Sequence, residues 1–148
     1  LRYTLDTDRM GTFGLQLNYS LMLTNKYKEF DDQPFIDYRD LPLFDYSQRS
    51  RMRGNVSWNR GDWGAQVTGI RYGSNWNAAW TERLPPYMVY NLTVAKRFGE
   101  NLSAELIVQN VLNNQYREDS TQGYPWYNPW IGADPLGRRF NARITYRF

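Results

Sequence analysis

The chain has 148 residues, 41% hydrophobic, 17% aromatic and 22% charged, with a formal net charge of +3 and neither cysteine nor histidine. That length allows one domain or a piece of one, and without Cys or His there are no disulfides, thiolate metal sites, Ser-His-Asp triads or HExxH zinc sites. A mean hydropathy of −0.74, with no apolar run near the roughly 18 residues of a membrane helix, leaves open a membrane barrel, in which every second residue is free to be polar.

The opening Leu1-Arg-Tyr-Thr already reads as structure rather than as a leader, so a mature or truncated product is expected. Period-two alternation then predicts about six full strands and the end of another. Thr12–Leu23 places Phe13, Leu15, Leu17, Tyr19, Leu21 and Leu23 on one face and Gly14, Gln16, Asn18, Ser20 and Met22 on the other. In Arg49–Trp58, Met52, Val56 and Trp58 oppose Arg51, Arg53, Asn55 and Ser57. Trp63–Ser74 starts with Trp63, Ala65 and Val67 outward, but Ile70 and Tyr72 fall on the opposite parity, so a bulge at Gly69 is expected to reset the register. Met88–Phe98 turns Met88, Tyr90, Leu92, Val94 and Phe98 outward, with Lys96 the one charge on an outward stripe. That lysine lies close to a turn, where its stem can snorkel. Leu102–Leu112 turns Leu102, Ala104, Leu106 and Val108 outward and Ser103, Glu105 and Gln109 inward. Across the hairpin, Glu105 is expected to pair diagonally with Arg97.

The connections alternate in length. Asp6–Gly11, Asn59–Asp62 and Gly99–Asn101 are short and rich in Gly, Asp and Asn, whereas Thr24–Gln48, Asn75–Pro86 and Asn113–Gly137 are long. Outer-membrane barrels have short periplasmic turns and long outer loops. A four-residue loop at Asn59-Arg-Gly-Asp62 would set Trp58 opposite Trp63 in an aromatic belt, or, in a soluble hairpin, in a core. The last strand alternates Phe140, Ala142, Ile144, Tyr146 and Phe148 with Arg139, Asn141, Arg143, Thr145 and Arg147. Apolar groups to lipid, polar groups to the lumen and a terminal aromatic at the interface suit a strand that closes an outer-membrane barrel. Phe148 then falls on the short-turn side, as a periplasmic C-terminus requires.

The stretch from Tyr90 to Tyr116, with its short turn Gly99-Glu-Asn101, its Asn110-Val-Leu-Asn113 segment and the Tyr that follows, resembles the penultimate hairpin of TonB-dependent outer-membrane receptors. That family has an Asn-Leu-Phe-Asp-like segment here, from which Val111 and Leu112 depart conservatively. Gly137-Arg138 and the alternating strand Arg139–Phe148 resemble the family's closing strand. The resemblance is specific over residues 87–148 and one of pattern upstream. It implies an all-β fold: a transmembrane antiparallel β-meander of about six to seven strands, forming the C-terminal part of a barrel of about 22 strands around a plug. It also implies a plug domain absent from residues 1–148, and energy-coupled uptake of a scarce solute such as a siderophore, cobalamin, oligosaccharide or peptide. The implied partners are outer-membrane lipid, the remaining barrel strands and plug of the same receptor, the TonB complex through the missing N-terminal part, and the barrel-assembly machinery. The expected location is the outer membrane of a Gram-negative bacterium. A covalent reaction, a cofactor and a resident metal are not implied, and the spread of the Arg residues gives no nucleic-acid patch.

Candidate site residues follow. Tyr124-Pro-Trp-Tyr-Asn-Pro-Trp-Ile131 offers Trp126, Tyr127 and Trp130 on a backbone restricted by Pro125 and Pro129. These rings suit stacking on a sugar, a catecholate or another aromatic ring, and equally suit packing of the loop on itself or a place in the outer aromatic belt. Trp76 and Trp80, in the neighbouring long loop, carry the same alternatives. Inward Arg51, Arg53, Arg97, Glu105, Arg139, Arg143 and Arg147 make a largely basic wall, which in the family faces the plug. Ile144, Tyr146 and Phe148 are the candidate barrel-assembly signal. Glu29, Asp31, Asp32, Asp37, Asp40 and Asp45 in the first long loop suit a calcium site by ligand type, but their spacing matches no EF-hand and favours a solvated acidic loop. Asn-x-Ser/Thr matches at Asn18, Asn55, Asn91 and Asn101 fall on or beside strands and are coincidences of composition. Two other readings remain: a self-standing small outer-membrane barrel acting as adhesin or pore, and a soluble carbohydrate-binding β-domain whose outward stripes pair into a second sheet.

Overall fold

The computed structural model describes residues 1–41, 48–115, 117–124, 126–127 and 136–148, with Asp40 described by its backbone alone. Seven long strands form one antiparallel meander: β1 (Arg2–Thr7), β2 (Gly11–Leu21), β5 (Ser50–Arg60), β6 (Trp63–Tyr72), β9 (Tyr87–Phe98), β10 (Leu102–Gln109) and β11 (Arg139–Tyr146), side by side in that order. Two small hairpins rise from the long connections: β3 (Lys26–Tyr27) with β4 (Ile36–Asp37), and β7 (Asn75–Trp76) with β8 (Arg83–Leu84). A 3-10 turn, Tyr38–Asp40, follows β4. Among the described residues no helix is long and apolar enough to cross a membrane, which says nothing of strands.

The register carries the alternation across the whole sheet. One row runs Tyr3, Leu15, Val56, Val67, Leu92, Val108 and Phe140, each paired with the next. The row below it runs Leu5, Phe13, Trp58, Ala65, Val94, Leu106 and Ala142. On the other face the rows are polar, for example Arg2, Gln16, Asn55, Thr68 and Asn91, where Thr68 Oγ1 donates to Asn55 Oδ1 at 2.7 Å. Val67 lies on β6, the central strand, and is still 43% exposed. Most of the apolar row is exposed in the same way, as at Tyr3, Leu15, Val56 and Phe140, while Val108, at the long-loop end of β10, is buried.

Three expectations are corrected by the register. Gly69 hosts no bulge: β5–β6 pairing runs unbroken from Arg51↔Tyr72 to Arg60↔Trp63, and β6–β9 from Trp63↔Lys96 to Tyr72↔Tyr87. Ile70 and Tyr72 therefore point to the polar face, and Arg71 to the apolar one between Met52 and Met88. The Asn59–Asp62 connection is a two-residue turn, Gly61-Asp62, with Gly61 at φ +55. Positive φ at that place matches the primed turns whose twist suits a hairpin. Trp58 consequently pairs with Ala65 and Trp63 with Arg60, so the two indoles share a face but lie diagonally rather than opposite. Trp58 Nε1 instead donates to the Met10 carbonyl at 2.7 Å. Finally, β10 stops at Gln109 rather than Leu112 because Asn110 takes φ +52.

Candidate functional site at the long-loop rim

Under the long connections the protein has a small interior of unusual make-up. Among the described residues the buried apolar ones are Leu84, Tyr87 and Val108, while the largest fully buried side chains are Asn75, Asn77 and Asn110. Buried amides need partners, and most of theirs are backbone groups of the loops. Asn110 Nδ2 donates to the Asn114 carbonyl at 2.7 Å, its Oδ1 accepts from Asn114 N at 2.9 Å, and its own N–H reaches Asn91 Oδ1 at 2.9 Å. Asn113, also at positive φ, accepts from Arg138 N at 2.9 Å. A Cβ on Gly137 would come 2.7 Å from Asn113 Oδ1, and Gly137 sits at φ +70. The Asn110–Asn113 and Gly137-Arg138 motifs are thus one structural unit: they reverse the chain after β10 and deliver it to β11. Tyr116, the aromatic of the same segment, lies outside the described residues.

Loops two and three are joined by side chains that periodicity does not signal. Asp119, 3% exposed, accepts from Ala78 N at 2.8 Å through Oδ2, and from Thr121 N and Oγ1 at 3.0 and 2.6 Å through Oδ1. Thr121 Oγ1 accepts from Ala79 N at 3.0 Å. Arg117 donates through Nη1 to the carbonyls of Gly73 and Leu84 at 3.4 and 3.2 Å, and to that of Pro85. Burial lowers the pKa of this guanidinium, with Tyr87 acting in the opposite sense. Tyr87 Oη in turn donates to the Asn114 carbonyl at 2.8 Å. An Asp followed two residues later by Thr is a local turn signal, but its reach across 41 residues to Ala78 is a tertiary fact.

This junction positions four of the aromatic candidates. Trp76 lies on β7 with the Arg83 guanidinium carbon 4.6 Å from its ring centroid. Trp80, at φ +57, forms the tip of the same hairpin, its N–H on the Asn77 carbonyl at 3.1 Å. Trp126 is tied to the junction because its carbonyl accepts from Asp119 N at 2.8 Å, while its side chain is 48% exposed. Tyr127 is half-buried beside it. Trp130, Pro125, Pro129 and Ile131 lie outside the described residues.

The removal of the expected bulge reveals a further group. Ser20, Arg51, Tyr72 and Tyr87 form the polar-face row nearest the long loops. Arg51 stands 5.1 Å from the Tyr72 ring centroid, and the Tyr72 and Tyr87 rings stack at 6.1 Å and 29°. The next row contains Arg53, which lines a depression of about 290 Å³ with Arg2, Gln16, Asn55 and Ser57. Towards the short turns, Glu105 binds Arg143 at 3.4 Å, not Arg97, because Arg143 is its direct partner across β10–β11. Arg97 turns instead to Asp62 at 3.8 Å and to the Gly61 carbonyl. Arg139 pairs with Gln109 on the same face, and Arg147 follows the same parity, its N–H on the Asn101 carbonyl at 2.9 Å. Ile144 and Tyr146 are exposed on the apolar face of β11, and Phe148 meets Tyr146 edge-on at 5.1 Å.

In the acidic first loop, Asp37 caps the 3-10 turn, accepting from Asn25 N and Arg39 N at 3.0 Å each. Among the described residues no three carboxylates converge on a point that could hold a metal.

No protein-family model and no curated protein matches the sequence. Among solved structures the chain superposes on the ferric enterobactin receptor (PfeA) of Pseudomonas aeruginosa. One mutant form gives a TM-score of 0.65 at 20% identity over 99% of this chain and 22% of that one. Another mutant form, in complex with enterobactin, gives 0.64 at 20% identity over 98% and 21%. The chain has the fold of a TonB-dependent receptor's barrel wall. It spans about a fifth of the length of those receptors, and as a barrel wall it is open, with β1 and β11 at its two edges.

Proposed function

We propose that the chain is the C-terminal wall of an outer-membrane receptor that takes up a scarce solute, and that further strands meet β1 and β11 to close the barrel. The observation that carries this is the apolar row from Tyr3 to Phe140, continuous over seven strands, in which Tyr3, Leu15, Val56, Val67 and Phe140 are exposed and Val108 alone is buried. A water-soluble sheet would have to bury that face under a second layer. In lipid the face needs no cover, but each unpaired peptide group at an open edge would cost several kcal/mol. Closure by further strands resolves both demands. The self-standing small barrel is less well supported, because about eight strands are the fewest that close.

In this reading the long loops capture the solute and the polar face lines its path. Trp76, Trp80 and Trp126, held together by the Asp119 junction, present rings at the mouth. Below them Arg51 and Tyr72 offer a cation and a ring, the ring backed by the buried Tyr87, with Arg53 one row deeper. An anionic chelate with aromatic arms, of the siderophore class, fits such a surface through ion pairing and cation–π contact. Arg97, Arg143 and Arg147, towards the short turns, and Arg139, at the long-loop end of β11, would face a plug, and Ile144, Tyr146 and Phe148 would present the assembly signal. No covalent step is required. The test is the intact mass of the native product in outer-membrane fractions, with a shift in gel mobility on heating as the mark of a closed barrel. A heat-shifting species several times larger than 17.6 kDa is expected; a native species of that mass would overturn the proposal in favour of a small or oligomeric barrel.

A further inference from the structure

Three cations interrupt the apolar face, where sequence reasoning placed Lys96 alone. Arg71, at the long-loop end, donates to Ser50 Oγ at 3.0 Å. The other two stand together at the short-turn end. Arg60 pairs with Trp63 and Trp63 with Lys96, so one row across β5, β6 and β9 reads Arg-Trp-Lys. At a strand spacing of about 4.8 Å, their Cα atoms lie about 10 Å apart. Both side chains are long enough to converge over the indole between them. The Lys96 ammonium already sits 4.4 Å from the Trp63 ring centroid and 5.0 Å from that of Phe98. Neither Arg60 nor Lys96 has a carboxylate partner among the described residues, whereas Arg97 and Arg143 on the opposite face do.

Beside Lys96 the apolar face is hollowed. Ala104 and Ala142 are small where their neighbours Leu106 and Ile144 are large, leaving an open groove of about 340 Å³ that runs from Lys96 and Trp63 along β10 and β11. A cation pair at the end of an apolar groove is complementary to an anionic head on a hydrocarbon chain. Unpaired cations beside lipid are expensive in the hydrocarbon and tolerated at headgroup level, and a phosphate there would offset what remains of that cost.

We propose that Arg60 and Lys96, bridged by Trp63, bind the phosphate of an anionic phospholipid whose acyl chain lies in the Ala104–Ala142 groove. This site rests on the membrane-barrel reading, and its test is arranged to tell the two apart. The intact receptor containing this chain is extracted, exchanged into micelles containing equal phosphatidylglycerol and phosphatidylcholine, and its retained lipids are measured by native mass spectrometry. The wild type is expected to retain phosphatidylglycerol preferentially. The double substitution R60Q/K96Q should lower that retention about tenfold, and the charge-preserving R60K/K96R should keep it. Equal retention of both lipids by the wild type, or a preference unchanged in R60Q/K96Q, would overturn the site while a normal heat-induced mobility shift left the barrel reading intact. A wild type with no such shift would overturn the barrel reading itself, and the lipid site with it.

Discussion

Replacing Asp119 by Ala should unlatch loop two from loop three without disturbing the barrel wall. The substitution removes one acceptor that crosses between the loops, at Ala78 N, and two that hold the Thr121 turn, whose hydroxyl receives Ala79 N. Hydrogen bonds to a charged group contribute about 1.5–3 kcal/mol each, but they are not additive, and water replaces part of what is lost once the tip opens. A net cost of about 2–4 kcal/mol to the closed arrangement is therefore expected, and it should appear as local opening rather than global unfolding. At about 1.4 kcal/mol per tenfold, exchange of the Ala78 and Ala79 amides should accelerate about 30- to 700-fold in the intact protein. Asp119→Asn keeps a carbonyl oxygen but loses the charge, so its acceleration should be nearer tenfold. Amides of β6 and β9 serve as internal controls and should not change. If Ala78 and Ala79 exchange as slowly in D119A as in the wild type, Asp119 does not hold the loops together, and the placement of Trp126 beside the β7–β8 hairpin loses its physical basis.

The two faces of β6 should respond oppositely to the same change: Val67→Arg places a charge at the centre of the apolar row and should cost about 2–4 kcal/mol of folding stability in bilayers, whereas Gln66→Arg, on the polar face, should be close to neutral by the same urea titration. Arg51→Ala should weaken binding of an anionic aromatic chelate to the intact receptor about tenfold, the scale of a desolvated cation–π contact and ion pair, as read by quenching of tryptophan fluorescence. Asp37 supplies a pH dependence. The Asn25 N–H bonded to its carboxylate holds its pKa below the ordinary value, against an opposing desolvation, with the Arg39 N–H and the charges of Arg39 and Lys26 adding to the shift. A depressed carboxyl pKa contributes stability that is complete above the unfolded value, about 3.9, and is lost as pH falls through the folded value. Proteolytic protection of the β3–β4 hairpin should therefore fall on acidification below about pH 4, and Asp37→Asn should remove that pH dependence.

How much of this was legible in the sequence depends on which interactions set each feature. The long strands were legible because each states its own faces: Leu15, Leu17 and Tyr19 alternate with Gln16, Asn18 and Ser20 whatever lies beside them. The short turns were legible in place but not in length. At Asn59–Asp62 several residues favour turns, and only the partner strand decides that Gly61-Asp62 is the loop and that Trp58 falls opposite Ala65. The loop junction was hidden for a different reason. Asp119, Arg117 and Asn77 act through backbone groups 32 to 44 residues away or through their own turns, and a single sequence carries no trace of such pairings.

The mistaken bulge at Gly69 shows the limit most clearly. Ile70 and Tyr72 read as lipid-facing only if every large apolar or aromatic side chain must face lipid. The ladder gives a different rule at the rim. Tyr72 is directly opposite both Arg51 and Tyr87, and a one-residue reset in β6 would break both pairings and move the ring to the other face. Keeping the register costs only that Arg71 faces outward, where it lies near the strand end and donates to Ser50 Oγ. The exchange leaves Tyr72 between a guanidinium and a second ring on the polar face, which is where an aromatic group has a use other than burial. An aromatic that breaks the parity of an otherwise regular membrane strand, close to the long-loop end, is therefore better read as facing the lumen than as the sign of a bulge.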